Sequence, residues 1–548
     1  MHEAKRLGAL TGIEFSTKGV AVVLIFTLIS AIFFPLYIET KSTDYVILAS
    51  ISMSMLLYGL LNPIVQRQNR KINIDGSIPF FITAFATLAV SGADRVEILK
   101  ILARKEKLGY INEELKKIVN LTQNWKMSLG EISNFLAERT PSDLFADFLS
   151  RLGQATDSGQ NFEEFLKTET STVMANYENN YVSALYSFDL FKDIYISMLL
   201  AFAFMIAFIM IMPILIPVNM DVMMILAILA MVMGESMIVV GIKTVLPYDP
   251  IWQRTGIRTN TETVLKIWFL GFGLMTLGLL AVFFLTPFFS SVPFYLLFAI
   301  AITPLAIPSI IGSNTEKEIM KKEDMFGSFI RALSGSASSR GNIIIEALGE
   351  IQLHDFGKLT KNIRDLYKRL VYRINTLIAW KDFSADTESR LVEVFSESFS
   401  ESVELGSDAQ KCGDIVADNF DRVTRMRKRR HSSISSFIGV MYGISAGLAF
   451  ALSISYAILG FIGGIFSTFP TSFINDLGIF VAQPTNTMFT VELFIVIILF
   501  MHAFVAGTAL KVGDGGKLIH GLHHFVAMVW LISITMIGTN IVVSHLLI

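Results

Sequence analysis

Only one cysteine, Cys412, is present, so no internal disulfide can form and its thiol is expected to be inert. Charge is scarce as well. Asp, Glu, Lys and Arg make up 17% of the 548 residues against 53% hydrophobic ones, which excludes an ordinary soluble protein. A phosphate-cradling glycine loop is also missing. The nearest approaches, Gly357-Lys358-Leu359 and Gly516-Lys517-Leu518, lack the hydroxyl and the upstream glycine that such a loop needs. No catalytic or cofactor-binding residue is therefore assigned, the chain is read as a non-enzyme, and any ATP hydrolysis must come from a partner. Neither long polar stretch contains the alternating pattern of a strand, so the expected fold class is all-α.

What is present is a series of apolar runs near the twenty residues that a bilayer-crossing helix requires. About nine qualify: Gly19 to Ile38, Tyr45 to Val65, Ile194 to Pro217, Val222 to Gly241, Ile267 to Pro287, Val292 to Gly312, Ile434 to Gly463, Met488 to Leu510 and Leu522 to Leu547. The first is too long for the apolar core of a signal peptide and has no small-residue cleavage site, so it reads as a retained helix. Among 45 Lys and Arg, only Lys41 falls in a segment that alternation places outside. The positive-inside rule then puts the N-terminus and both polar stretches in the cytoplasm and the C-terminus outside. Pro213 and Pro217 are expected to kink the third span, and Pro304 and Pro308 the sixth.

The resulting organisation is spans 1–2 (residues 1–65), a polar helical domain (66–193), spans 3–6 (194–312), a second polar helical domain (313–433) and spans 7–9 (434–548). Helical periodicity is clear at Ile78, Phe81, Ile82, Phe85, Leu88 and Ala89, with Ser77 as the expected N-cap and Pro79 in the first turn. It recurs at Leu144, Phe145, Phe148, Leu149 and Leu152 behind Thr140 and Pro141. The two domains read as copies. Ser91-Gly92 with Glu97 and Leu99 matches Arg340-Gly341 with Glu346 and Leu348; Leu144, Phe145 and Leu149 match Val394, Phe395 and Phe399; and Gly159 and Gly413 each precede a helix entering the membrane.

At TLAVSGADRVEILKILARKE and LGQATDSGQNFEEFLKTET the chain resembles the F-domain family of type II secretion and type IV pilus machines. Two such domains separated by membrane helices are similar to the layout of the family's archaeal, archaellum-type members. In the second copy GSASSRGN replaces the apolar lead into the glycine. The resemblance implies a membrane platform at the base of an archaellum, or alternatively of an archaeal adhesion pilus. It further implies a cytoplasmic hexameric ATPase and archaellin or pilin subunits as partners, and a homodimeric state. A nucleic-acid partner is not expected, and a secondary transporter is disfavoured because intramembrane charge is sparse.

Candidate contact residues are the bases Arg422, Arg425, Arg427, Lys428, Arg429 and Arg430, just before the seventh span. They are expected to form a collar for anionic lipid or for an acidic face of the ATPase. The acidic row Glu388, Glu393, Glu397, Glu401 and Glu404 reads as a solvated face. Glu235, Glu492 and His502 are the ionisable groups inside spans. His520, His523 and His524 have helical spacing for metal ligands but no completing ligand beyond Asp514, so a polar turn is the expectation and no metal is assigned.

Overall fold

The computed structural model describes residues 43–215, 220–257, 259–286, 292–467 and 485–547. All regular structure among them is helical, apart from one isolated β-bridge between Trp252 and Ser389. The first bundle consists of α1 (Thr43–Ala89), α2 (Arg95–Ala103), a 3₁₀ turn (Glu106–Leu108), α3 (Tyr110–Asn124), α4 (Leu129–Ala137), α5 (Asp143–Asp157) and the start of α6 (Phe162–Leu215). After α6 come α7 (Met220–Val245), α8 (Asn260–Leu285) and α9 (Phe294–Ile302). The second bundle repeats the first element for element: α10 (Ala306–Ser339), α11 (Ile344–Ile351), a 3₁₀ turn (Gly357–Leu359), α12 (Thr360–Val371), α13 (Thr376–Thr387), α14 (Arg390–Glu404) and the start of α15 (Ala409–Ser467). Helices α16 (Thr485–Asp514) and α17 (Leu522–Leu547), joined through a 3₁₀ turn (Leu518–Gly521), end the described chain.

The seven spans expected from Ile194 onward fall on these helices, and the sixth is broken by a 3₁₀ turn at Thr303–Leu305, where Pro304 sits. The Gly19 to Ile38 span and Pro217 lie outside the described residues. Tyr45 to Val65 lies in the first half of α1. The second half, Val65–Ala89, is also long and apolar enough to cross a membrane, but 83% of its most apolar window is buried within the protein, so it is the core helix of the first bundle.

Four long helices, α1, α6, α10 and α15, run without a linker between a bundle and a run apolar enough to cross a membrane, α10 carrying only the last part of the broken sixth run. This corrects the helix start expected at Ser77, which lies inside α1. Pro79 removes one backbone bond there, and the buried seam of Ile74, Ile78, Phe81 and Phe85 carries the helix through. The start expected at Thr140 also shifts: Ser142 caps α5, accepting the Phe145 N–H at 3.1 Å.

The repeat register shifts with it. Ser389 caps α14 as Ser142 caps α5, accepting from Val392 N–H at 3.1 Å, so Leu144, Phe148 and Leu152 answer to Leu391, Phe395 and Phe399. Gly92 and Gly341 do correspond, with φ of 72° and 68°. Gly159 (φ 68°) pairs with Gly406 (φ 89°), however, because both occupy the left-handed position that closes a helix before the next long one. Gly413 lies inside α15, where an added Cβ would sit 2.1 Å from Ser334 Oγ of α10; close helix packing, not a turn, requires it.

Each bundle is filled by aromatics. Phe81 meets Phe145 and Phe148 edge-on in the first, and Trp380 meets Phe383 and Phe399 in the second. Each such ring contributes about 1.5–3 kcal/mol through burial. The two cores are continuous: α14 is covered by α1, with Phe80 edge-on to Phe395 at 5.7 Å, while its counterpart α5 packs on α4 and α6 of its own bundle. The bundles therefore associate asymmetrically.

Candidate functional site

Two charged zones organise the molecule. One joins the bundles to each other, and the other joins the second bundle to the membrane helices.

Between the bundles, the acidic row of α14 receives two lysines from the 3₁₀ turn of the first bundle, Lys105 just before it and Lys107 within it. Lys107 Nζ lies 2.9 Å from Glu393 and 2.6 Å from Glu397; Lys105 lies 3.5 Å from Glu397 and also pairs with Glu401. Arg390 donates to the Lys107 carbonyl at 2.7 Å and to Glu393 at 3.0 Å. Glu393 is 1% exposed and takes a further N–H from Arg254 at 2.8 Å. The row expected to be solvated is thus an internal contact at 393, 397 and 401, its helical spacing matched by bases from a distant part of the chain. Burial opposes the Glu397 charge, but Lys105 and Lys107 outweigh it and hold the carboxyl below its ordinary range. For Lys107, burial likewise opposes the charge, and Glu397 and Glu393 raise its pKa above the ordinary value. Along the same interface Asn419 donates to Thr83 Oγ1 at 2.9 Å and Ser407 Oγ to the Thr87 carbonyl at 3.3 Å. A cleft of about 1020 Å³ opens beside the lysines, walled by α1, α3, the loop at Tyr248 to Arg254, and α14.

At the membrane side the hub is the α7–α8 connection, residues 246–259. Arg427 of α15 donates to Asp249 (2.8 Å through Nε), to both oxygens of Glu323 (2.7 and 2.9 Å) and to the Pro250 carbonyl (3.4 Å). Arg430 donates to the carbonyls of Gly513 (2.6 Å), Pro247 (2.8 Å) and Val512 (3.3 Å), closing the end of α16, where the helix dipole favours a cation. Glu316 of α10 accepts from Lys511, from Trp252 Nε1 at 3.0 Å and from the Lys517 N–H at 3.0 Å, and meets His520 Nδ1 at 2.8 Å. Lys511 also pairs with Asp514 at 2.9 Å. The same connection docks on the α13–α14 turn through Gln253 N–H to Glu388 O (3.0 Å) and Arg390 N–H to Ile251 O (2.9 Å). Against α1 it lies so close that a Cβ on Gly76 would be 2.5 Å from Tyr248 O.

The six bases of the expected collar are accordingly divided. Arg427 and Arg430 are buried and satisfied internally, so these two are corrected from surface contacts to structural ones: the segment turns them inward onto Asp249, Glu323 and orphan helix-end carbonyls. Arg422 pairs with Glu178 at 3.5 Å and Lys428 with Asp324 at 2.7 Å. Arg425 and Arg429 are the two that stand exposed with no ion pair among the described residues.

Within the membrane helices, Glu235 of α7 and His502 of α16 meet at 2.8 Å, at 1% and 0% exposure, and His502 Nε2 lies 3.2 Å from Ser445 Oγ of α15. Glu492, near the far end of α16, does not join them. The other three histidines stay close, with the His523 and His524 ring centroids 4.0 Å apart, but take different partners: His520 faces Glu316, His523 faces Ser309 Oγ at 3.0 Å, and His524 faces Tyr442 at 3.1 Å. No cluster able to hold a metal occurs among the described residues.

Asp249, Glu316, Glu323, Lys511, Lys105 and Lys107 were not anticipated. The one local signal was LPYDPIWQR, an unusually aromatic and proline-rich connection between two spans.

Residues 81–210 match the family described as Type II secretion system (T2SS), protein F. The chain is 34% identical over 500 residues to a Methanocaldococcus jannaschii protein named Flagella accessory protein J, covering 88% of this chain and 87% of that one. A Methanococcus voltae protein of the same name is 33% identical over 501 residues, 90% of each chain. No solved structure matches.

Proposed function

The chain belongs to the flagella accessory protein J family, multi-pass membrane platforms of archaellum and type IV-like machines, and from that premise we propose that its two bundles receive mechanical work from a separate cytoplasmic ATPase and pass it to filament subunits in the membrane. The observation that carries this reading is continuity. Helices α1, α6 and α15 each extend from a bundle into a membrane segment, so a force applied to a bundle reaches the bilayer through hydrogen-bonded helix and not through a flexible tether, and α10 meets the rest of the sixth span across its 3₁₀ turn. The buried ion pairs around residues 246–259 add stiffness between the second bundle and α16.

Charge placement supports a cytoplasmic position for both bundles. Arg425 and Arg429, exposed near the membrane entry of α15, suit anionic headgroups. The names of the relatives favour the archaellum over an adhesion pilus, with archaellins as the subunits served. A homodimer would present four bundles to one ATPase hexamer. The test is reconstitution in lipid nanodiscs with the purified ATPase of the same machine. Saturable binding and a changed ATPase rate are expected, and ATP hydrolysis by the chain alone would overturn the reading.

A further inference from the structure

At the membrane-distal ends of the bundles, the repeat preserves a feature that stability alone disfavours. Helix α3 is capped at its C-terminus by Trp125, followed by Lys126 at φ 52°; its counterpart α12 is capped by Tyr372, followed by Arg373 at φ 61°. Both basic residues occupy the left-handed position that glycine fills at Gly159 and Gly406. The second turn is closed by Arg373 N–H to Leu370 O (2.9 Å) and Ile374 N–H to Arg369 O (3.1 Å). In both turns the preceding aromatic projects into solvent, Trp125 at 73% and Tyr372 at 79% exposure, and an apolar residue follows, Met127 or Ile374. Aromatic, left-handed base, apolar residue is therefore a duplicated surface motif held at a conformational cost in both copies.

Around Tyr372 the surface stays apolar, with Ile374, Ile378 and Ile343 exposed, and an apolar groove of about 210 Å³ opens between Ile343, Thr376 and Val403. Lys126 and Arg373 are themselves exposed, and Lys368, one helical turn before Tyr372, is a further exposed base at this end. Helix α10 carries this end roughly 40 Å beyond Gly312 at 1.5 Å per residue, too far for lipid contact. Trp, Tyr and Arg are the side chains enriched among those that dominate protein interfaces, and both aromatics and Arg373 stand exposed here.

We propose that the Trp125-Lys126-Met127 and Tyr372-Arg373-Ile374 turns are a matched pair of docking points for a soluble partner with repeated subunits, each turn entering an acidic-rimmed apolar hollow. Resting on the platform reading above, the partner is the ATPase ring, whose neighbouring subunits offer the same hollow twice. Because the second turn has the larger apolar surround, it contributes more affinity.

The full-length chain in nanodiscs is titrated with the purified ATPase hexamer across a salt series. Lys126→Gly with Arg373→Gly places the favoured residue at both turns, so the melting temperature is expected to hold or rise while affinity falls about tenfold and its salt dependence flattens. Trp125→Ala with Tyr372→Ala weakens binding at least as much, and Tyr372→Ala alone more than Trp125→Ala alone. Wild-type affinity in both double variants overturns the proposal while leaving the platform reading intact. Loss of self-association with unchanged ATPase binding also overturns it, assigning the turns to a second copy of the chain. Absence of binding by the wild-type chain removes the platform reading and this proposal together.

Discussion

Replacing Arg427 by methionine isolates the buried connection between the second bundle and the membrane helices. The guanidinium lies between Glu323 of α10 and Asp249 of the α7–α8 connection, with side-chain exposures of 6%, 1% and 7%. Methionine fills much of the volume but leaves two buried carboxylates facing each other without their cation. Breaking a buried pair in this way costs about 3–5 kcal/mol, mostly from the charge left behind. For a cooperative unit of about 150–250 residues each kcal/mol lowers the melting temperature by about 2–4 °C, so a fall of roughly 6–20 °C is expected for Arg427→Met in nanodiscs. The combined replacement Arg427→Met, Glu323→Met and Asp249→Asn removes all three charges and should recover most of the loss, since an apolar substitute for a buried ion cluster is often neutral. Arg425→Gln, at an exposed neighbour, should stay within about 0.5 kcal/mol of wild type. A melting temperature for Arg427→Met within about 2 °C of wild type would refute the assignment of Arg427 to a buried network.

The inter-bundle contact should depend on pH at both extremes. Glu397 titrates below its ordinary 4.5, so its contribution is present above 4.5 and lost as pH falls through the depressed value. Lys107 titrates above its ordinary 10.5, so its contribution is present below 10.5 and lost as pH rises through the raised value. Spin labels at Asn120 and Lys361 should report one narrow distance at neutral pH that broadens at either extreme and in Lys105→Met with Lys107→Met; a variant distance as narrow as wild type would count against the contact. In the membrane, His502→Leu leaves Glu235 buried without that partner and should destabilise by about 3 kcal/mol or more, whereas Glu235→Gln, which can still hydrogen-bond, should cost about 1 kcal/mol. Equal thermal unfolding of the two variants would contradict that pairing. Gly413→Ala should cost about 1–3 kcal/mol because its Cβ would overlap Ser334, and Gly335→Ala, next to it in α10 and open to space, should cost nothing measurable in the same denaturation assay.

Hydropathy and periodicity read alone were sufficient for the all-helical class and for placing the apolar runs from Ile194 onward on helices, because each depends only on local spacing along the chain. Element boundaries were less legible. Ser77 followed by Pro79 has the local chemistry of a helix start, yet burial of the seam around it outweighs one missing backbone bond. The repeat was visible through Gly92 and Gly341. Its later register was not, because Leu144, Phe145 and Leu149 resemble two alternative sets of apolar residues in α14, and only the matching caps Ser142 and Ser389 choose between them.

Charge was where sequence reasoning reached least far. A row of glutamates at helical spacing has the same pattern whether water or a lysine cluster nearly three hundred residues away faces it, and Lys107 and Glu397 meet only because α14 lies on α1. Likewise the run from Arg422 to Arg430 marks a membrane boundary by composition, but helix rotation sends Arg427 and Arg430 inward and leaves Arg425 and Arg429 outside. The sequence by itself determined that the fold is helical and which segments are apolar enough to cross a membrane, since transfer from water to hydrocarbon is summed over local composition. The tertiary structure alone decided which charges are buried partners and which remain available to another molecule, since a charge finds its counterion across space and not along the chain.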